Sequence, residues 1–100
     1  PAEIIIAHLD PDLRDLIPGH LENRQKDVTT IKNALKAADF GKIRVLVHSM
    51  KGSGDGFGFL PISKIGEALE KCAKNKDSDS IKNHLAELSD FLERVTLVYD

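Results

Sequence analysis

A histidine followed three and four residues later by a lysine and a glycine is the part of this chain best suited to chemistry. His48, Lys51 and Gly52 open the run HSMKGSGDGFGF, which covers residues 48–59. Residues three and four apart are neighbours on a helix surface, so the imidazole would have an ammonium group and bare backbone beside it. A neutral imidazole is a good nucleophile near pH 7. The spacing therefore predicts a nucleophilic histidine with a cation and free space next to it.

The apolar residues around His48 predict that its side chain faces solvent. Apolar types recur at helical spacing on both sides of it and share one helix face, from whose centre His48 projects by roughly 150°. Exposure would leave the imidazole open to a reaction partner. The residues that form the apolar face are Ile43, Leu46, Val47 and Met50.

Length and composition favour one small helical domain. A chain of 100 residues supports a single modest core, so we expect residues 1–100 to form one domain. Hydrophobic residues make up 41% of the chain, with no Trp and only five aromatics, which suits an aliphatic core. Cys72 is the only cysteine, which excludes an intramolecular disulfide, and its position on an apolar stripe predicts a packed, inert thiol.

Charge and hydropathy argue against two classes of partner. The formal net charge of -2 gives no overall attraction for nucleic acid. No apolar stretch approaches the roughly 18 residues that a membrane span needs, and the start, residues 1–6, lacks the features of a signal peptide. We therefore expect a cytoplasmic protein, monomeric, without nucleic-acid or membrane partners.

Hydrophobic periodicity predicts an all-α fold, an antiparallel four-helix bundle with a short additional N-terminal helix. Asp10 would cap the short helix, which Pro18 and Gly19 would interrupt. Short connections between long helices force neighbours to run in opposite directions. Residues 4–9 fit either an extended segment or a packed arm. The first two long helices are expected at about 18–38 and from the Asp39 cap to about Gly54. The third is expected from Pro61 to near Lys76. The fourth is expected from about Ser78 to the end of the chain, with Asp77 or Ser78 as its cap.

The glycines after His48 predict a loop and no nucleotide site. Their positions, 52, 54, 56 and 58, fit neither G-x-G-x-x-G nor G-x-x-x-x-G-K, and no strand precedes them. Each costs about 1 kcal/mol relative to alanine inside a helix, so we expect a loop by about Gly56 that Phe57 and Phe59 anchor to the core. His8, His20 and His84 are expected to be ordinary surface residues, and we expect no metal site.

The run from His48 to Phe59 resembles the H-x-x-K-G-x-x-x-x-F-G signature of histidine-containing phosphotransfer (HPt) domains, and in particular the phosphoacceptor domain of chemotaxis histidine kinases. The resemblance extends over roughly residues 10–98 through helix order and length. It implies that His48 accepts a phosphoryl group from a receiver-domain aspartate or a histidine kinase and passes it to a response-regulator receiver aspartate. It also implies a covalent carrier rather than a turnover enzyme, with no cofactor, because the metal and acid cluster belong to the partner.

The resemblance assigns roles to the neighbours of His48. Lys51 would offset the charge of roughly -2 on the phosphoryl group, and Gly52 would let a partner's loops approach the ring. Glu70, 22 residues after His48, matches a family position that bonds the unreactive ring nitrogen. Arg44 adds a second cation, whereas Asp55, two turns after His48, would oppose an incoming phosphoryl group unless the helix frays or bends there.

Two other interpretations stay open on the sequence. The chain fits the phosphoacceptor domain of a larger histidine kinase, in which the same His48 chemistry would serve an ATP-binding domain on one polypeptide. It also fits a bundle that docks onto receivers without transferring phosphate, although the intact His48 and Lys51 argue against that.

Overall fold

Four α-helices and two short strands make up most of the protein, whose computed structural model describes residues 4–99. Residues 1–3, the first half of the segment considered as a signal peptide, lie outside the described residues. So does Asp100, the last position of the predicted C-terminal helix. The elements are β1 (Ile5–Leu9), a 3₁₀ helix (Pro11–Leu13), α1 (Ile17–Lys36), α2 (Phe40–Phe57), α3 (Leu60–Lys74), α4 (Ser78–Arg94) and β2 (Val95–Tyr99).

The first three helices end with the same backbone turn. Ala38, Gly58 and Lys76 follow α1, α2 and α3 with positive φ angles of 54°, 80° and 52°. In each case the next backbone N–H bonds to the carbonyl five residues earlier, which satisfies acceptors that the helix end leaves free. The connections are therefore short, and each following helix begins immediately.

Two of the four helices, α2 and α4, begin with a capping aspartate, as the sequence predicts. Asp39 accepts a hydrogen bond from the backbone N–H of Lys42 at 3.1 Å, at the start of α2. Asp77 accepts one from the N–H of Ser80 at 3.2 Å, at the start of α4. A side-chain oxygen in this position satisfies one of the free N–H groups of the first turn.

α2 is longer than the sequence predicts. It continues through the glycines to Phe57, so the predicted end near Gly54 and the loop by Gly56 are wrong. A Cβ on Gly54 would lie 2.7 Å from the Oγ of Ser63 and 2.9 Å from its backbone nitrogen. Only glycine permits this close approach of α3, and the packing gained there offsets the poor helix propensity of the glycines.

The segment before α1 differs from the predicted short helix. Asp10 does cap it, accepting from the N–H of Asp12 at 2.9 Å, but the helical part is a 3₁₀ turn of three residues. α1 begins at Ile17, so Pro18 lies in the first turn, where proline lacks only an N–H that would be unbonded anyway. Residues 5–9, left open by the sequence, are extended.

The C-terminal helix ends at Arg94, whereas the sequence predicts that it continues to the end of the chain. The residues after it form β2, which pairs in parallel with β1, Ile5 opposite Val95 and Leu9 opposite Tyr99. β-branched and aromatic residues dominate β2, and these types favour a strand where a partner is available. The protein is mostly helical, with four helices, which is consistent with the predicted all-α bundle, and this two-stranded sheet is an addition that the sequence did not predict.

The helices enclose an aliphatic core, as the composition predicts. Contacts between α2 and α3 pair position 51 with 66 and position 54 with 63, so these two helices run in opposite directions. The antiparallel arrangement of the whole bundle stays a prediction. The largest side chains with less than 2% exposure are Ile17, Ile31, Ile43, Val47, Met50, Phe59, Ile62, Leu69, Ile81, Leu85 and Leu88.

Candidate functional site

His48 lies on the outer face of α2. Its side chain is 76% exposed, whereas Val47 and Met50 on either side of it are completely buried. The helix is anchored through its inner face, so the imidazole is presented to solvent on a rigid element. This is the exposure that the periodicity of the sequence predicts.

Glu70 of α3 holds the imidazole ring. Its Oε2 lies 2.9 Å from the Nδ1 of His48, and its side chain is 21% exposed. The hydrogen bond to His48 lowers the pKa of the Glu70 carboxyl, and Lys51 and Lys74 lower it further. The carboxylate is then an acceptor only, so Nδ1 carries the proton and donates it. In the neutral ring the lone pair is then on the other nitrogen, Nε2, which is the form a nucleophile requires.

Close packing of α2 on α3 brings these two side chains within reach. A Cβ on Gly66 would lie 3.2 Å from the backbone nitrogen and Cα of Lys51. The hydroxyl of Ser63 donates to the carbonyl oxygen of Lys51 at 3.2 Å. Together with Gly54, these small residues let the helices meet backbone to backbone within two turns of His48. Sequence reasoning missed Ser63 and Gly66, although a glycine inside an apolar helical stripe was a visible signal.

Lys51 and Gly52 lie one turn after His48. Lys51 is half-buried, because its backbone is covered by α3, and its charge acts on the Glu70 carboxyl. Gly52 is exposed and helical, and a Cβ added there would meet no heavy atom within 4 Å. The structure therefore leaves open space beside the imidazole.

A shallow cleft of about 420 Å³ lies beside the ring. Val45, three residues before His48, is 71% exposed and adds an apolar contact surface that sequence reasoning missed. Its i-3 spacing from His48 on the outer face of the helix was the available signal. The residues that line the cleft are Gly41, Arg44, Val45, His48 and Glu70.

Asp55, the acidic residue expected to oppose an incoming phosphoryl group, lies within α2. Asp55 is exposed, and α2 continues past it without the fraying that the sequence suggests. At 1.5 Å per residue it lies about 10 Å along the axis from His48. The cations nearest His48 in sequence, Arg44 and Lys51, are closer to the ring along the helix.

His20 is a buried residue, so the prediction that it is an ordinary surface histidine is wrong. It is 5% exposed and stacks against both Phe57 and Phe59, with ring centroids 4.3 Å and 5.5 Å away. Burial, and secondarily the charge of Arg24, lowers its pKa to about 4. His20 is therefore a neutral core residue whose flat ring fills the space under the end of α2.

His84 has a carboxylate partner on its own helix. Its Nδ1 lies 3.0 Å from the Oε1 of Glu87, an i,i+3 pair that the sequence analysis overlooked. Its side chain is only 28% exposed, much less than that of His48. Within residues 4–99 no three His, Cys, Asp or Glu side chains come together as metal ligands.

Cys72 is half-buried, and burial raises the pKa of its thiol, as expected for a packed cysteine. Over the described part of the chain, no helix combines the length and the apolar character that crossing a membrane requires.

Comparison with known proteins identifies the family. No curated protein and no solved structure matches the chain. The model of the Hpt domain family matches residues 20–96, about three quarters of the chain, and this range includes both His48 and Glu70. The chain therefore belongs to the Hpt domain family, whose members are phosphotransfer carriers in two-component signalling and not classical enzymes.

Proposed function

We propose that this Hpt domain is a phosphorelay carrier that accepts a phosphoryl group on His48. The donor is the aspartyl-phosphate of a receiver domain or a histidine kinase, and the acceptor is a receiver aspartate of a response regulator. The observation that carries the proposal is the bond from Nδ1 of the exposed His48 to Glu70, which leaves Nε2 free.

The transfer follows from this tautomer. The lone pair of Nε2 attacks the phosphorus, the bond from phosphorus to the donor oxygen breaks, and the donor carboxylate leaves with the electron pair. The ring becomes an N-phosphorylated imidazolium that retains its Nδ1 proton. Glu70 faces that proton at 2.9 Å and stabilises the positive ring. In the second transfer the receiver carboxylate attacks the phosphorus, the N–P bond breaks, and neutral imidazole leaves.

Charge and clearance around the ring support the same role. Lys51 and Arg44 are cations within one turn of His48, and they would offset the charge of roughly -2 on the phosphoryl group. Gly52 leaves the space that the receiver's active-site loops need, and the exposed Val45 gives that partner an apolar contact. The metal and acid cluster would come from the receiver.

The decisive experiment is phosphorylation of the domain by a panel of ³²P-labelled receiver domains. We expect acid-labile, alkali-stable label on the unmodified domain and none on His48→Gln. The thermal transition should hardly change, because an exposed polar side chain contributes within about ±0.5 kcal/mol.

His84→Gln is the matched control, since His84 also pairs with a carboxylate through Nδ1, at 3.0 Å. That variant should take up label normally. Acid-labile label that persists in His48→Gln, or disappears in His84→Gln, would show that His48 is not the acceptor.

The same assay separates the two alternatives. Label from an ATP-loaded kinase domain but from none of the receivers would favour a phosphoacceptor domain of a larger histidine kinase. Receiver binding detected by calorimetry without any label would favour a bundle that docks but does not transfer.

A further inference from the structure

We propose that a cavity between α1 and α4 binds a small amphiphilic anion. The cavity has a volume of about 560 Å³, within the range of sites for small organic ligands. It lies between α1 and α4, whereas His48 and Glu70 belong to α2 and α3, so it is separate from the proposed phosphotransfer site. Its lining residues are Thr29, Lys32, Asn33, Leu35, Lys36, Ser78, Lys82 and Leu85.

Three lysines from two helices border this cavity, and none of its lining residues is acidic. Lys32 and Lys36 are four residues apart on α1, and Lys82 comes from α4. Each is exposed and has no ion-pair partner among the described residues. The other basic residues of these helices do have acidic partners, namely Arg24 with Asp27, Lys26 with Glu22 and Arg94 with Asp90. Positive charge is therefore unbalanced at this cavity in a chain of net charge -2.

Two arrangements of these lysines destabilise the protein when no anion is bound. Like charges four residues apart on a helix repel each other, as Lys32 and Lys36 do. Lys82 lies just after the first turn of α4, close to the positive end of the helix dipole. Lys36 by itself is stabilised in the last turn of α1, because it lies at the negative end of that helix dipole. A bound anion would relieve both unfavourable arrangements.

The two carboxylates at the start of α4, Asp77 and Asp79, form no ion pair with these lysines. Asp77 is engaged at the start of α4, where its oxygens accept from the backbone N–H and the hydroxyl of Ser80. Asp79 is exposed in the same turn and does not line the cavity. The lysine ammonium groups are therefore free to bind an anion from solution.

The size of the cavity indicates a small ligand. Its lining spans eight residues on each helix, 29–36 and 78–85, which is about 10 Å from first to last at 1.5 Å per residue and is short for a docked helix. A smaller cavity further along the same helices contains Glu93 and no lysine, so the basic region ends there. Leu35 and the buried Leu85 give an apolar surface for the body of the ligand, and the lysines bind its carboxylate, sulfonate or phosphate.

The probe for this site is 1-anilinonaphthalene-8-sulfonate, with N-phenyl-1-naphthylamine as the control that has the same rings without the charge. In fluorescence titrations the anionic probe should bind more tightly than the neutral one. Added salt should weaken the binding of the anionic probe and leave the binding of the neutral probe unchanged. In ¹H–¹⁵N spectra of the folded domain, its addition should shift signals of residues 29–36 and 78–85. Signals around His48 should not shift.

Charge-removing variants test the role of the lysines. Lys32→Gln and Lys82→Gln should each weaken binding of the anionic probe by about two- to fivefold, the equivalent of one exposed charge pair. The neutral probe should be unaffected by both. Lys64→Gln, an exposed lysine of α3, is the matched control and should leave both affinities unchanged.

Three results would overturn the proposal. They are equal affinity for the two probes, no effect of the lysine variants, and spectral shifts at another surface. A further titration uses an acidic amphipathic peptide in place of the probe. If the peptide bound more tightly than the probe and its shifts extended along α1 and α4 to Gln25 and Ser89, the occupant would be a protein segment rather than a small anion.

Discussion

Replacing Gly52 and Gly54 by alanine in turn should change the stability of the domain in opposite directions. Both glycines are helical positions in α2, and they differ in what a Cβ would meet. At Gly52 the Cβ enters open space, so alanine should stabilise the domain by about 0.4–1 kcal/mol through lost freedom of the unfolded chain.

At Gly54 the Cβ would lie 2.7 Å from the Oγ and 2.9 Å from the backbone nitrogen of Ser63. Rotation of the serine side chain removes the first contact but not the second, so the helices must separate. Overpacking of this kind typically costs about 1–3 kcal/mol, against about 1 kcal/mol gained in helix propensity. We therefore expect a net loss of up to about 2 kcal/mol for Gly54→Ala.

Urea denaturation followed by circular dichroism measures both variants against the unmodified domain. The two free energies of unfolding should differ by roughly 0.4–3 kcal/mol, and the melting temperatures should shift in opposite directions. If Gly54→Ala stabilised the domain as much as Gly52→Ala, close approach of α3 would not be the reason for Gly54. Gly52→Gln adds a functional arm, because a long side chain beside His48 should reduce phosphotransfer much more than it reduces stability.

Three further predictions concern single side chains. Lys51→Ala should slow phosphotransfer in stopped-flow or quench assays without unfolding the domain, and unchanged kinetics would remove Lys51 from the proposed mechanism. Glu70→Gln should slow transfer and alter the ¹⁵N shifts of the His48 ring, because an amide no longer selects the Nδ1–H tautomer; unaltered ring shifts would contradict the assigned role. The pKa of His20 is about 6.5 in the unfolded chain but about 4 in the folded protein. The free energy of unfolding should therefore fall as the pH decreases through that interval, by on the order of 3 kcal/mol in total. His20→Phe, which keeps the stacking, should lose most of this dependence, and an unchanged urea-midpoint profile against pH would refute the buried neutral histidine.

Periodicity and capping signals predicted most of the helical structure. The bounds of α1 and α3 differ from the predicted ones by two residues at most, and Asp39 and Asp77 cap the helices expected of them. These features depend on short stretches of sequence, where local preference and the burial of one face agree. The exposure of His48 was predictable for the same reason.

The errors arose where tertiary contacts override local preference. α2 extends to Phe57 because Gly54 fits against Ser63, a contact with a residue nine positions later that the glycine content does not reveal. α4 stops at Arg94 because β1, at the other end of the chain, offers a strand partner. His20 is buried because Phe57 and Phe59 come to lie beside it. Each outcome depends on pairs of residues that periodicity along one helix cannot show.

The parallel sheet has a consequence for the order in which the protein folds. Pairing Ile5–Leu9 with Val95–Tyr99 closes a loop of almost the entire chain, which carries a large entropic cost before any hydrogen bond forms. Contacts between α2 and α3 close a loop of only nine residues between Gly54 and Ser63. The helical pair that carries His48 and Glu70 can therefore assemble early, and the sheet would form last. In native-state hydrogen exchange the sheet amides would then open at lower free energy than those of α2, and such opening would leave the His48 site intact.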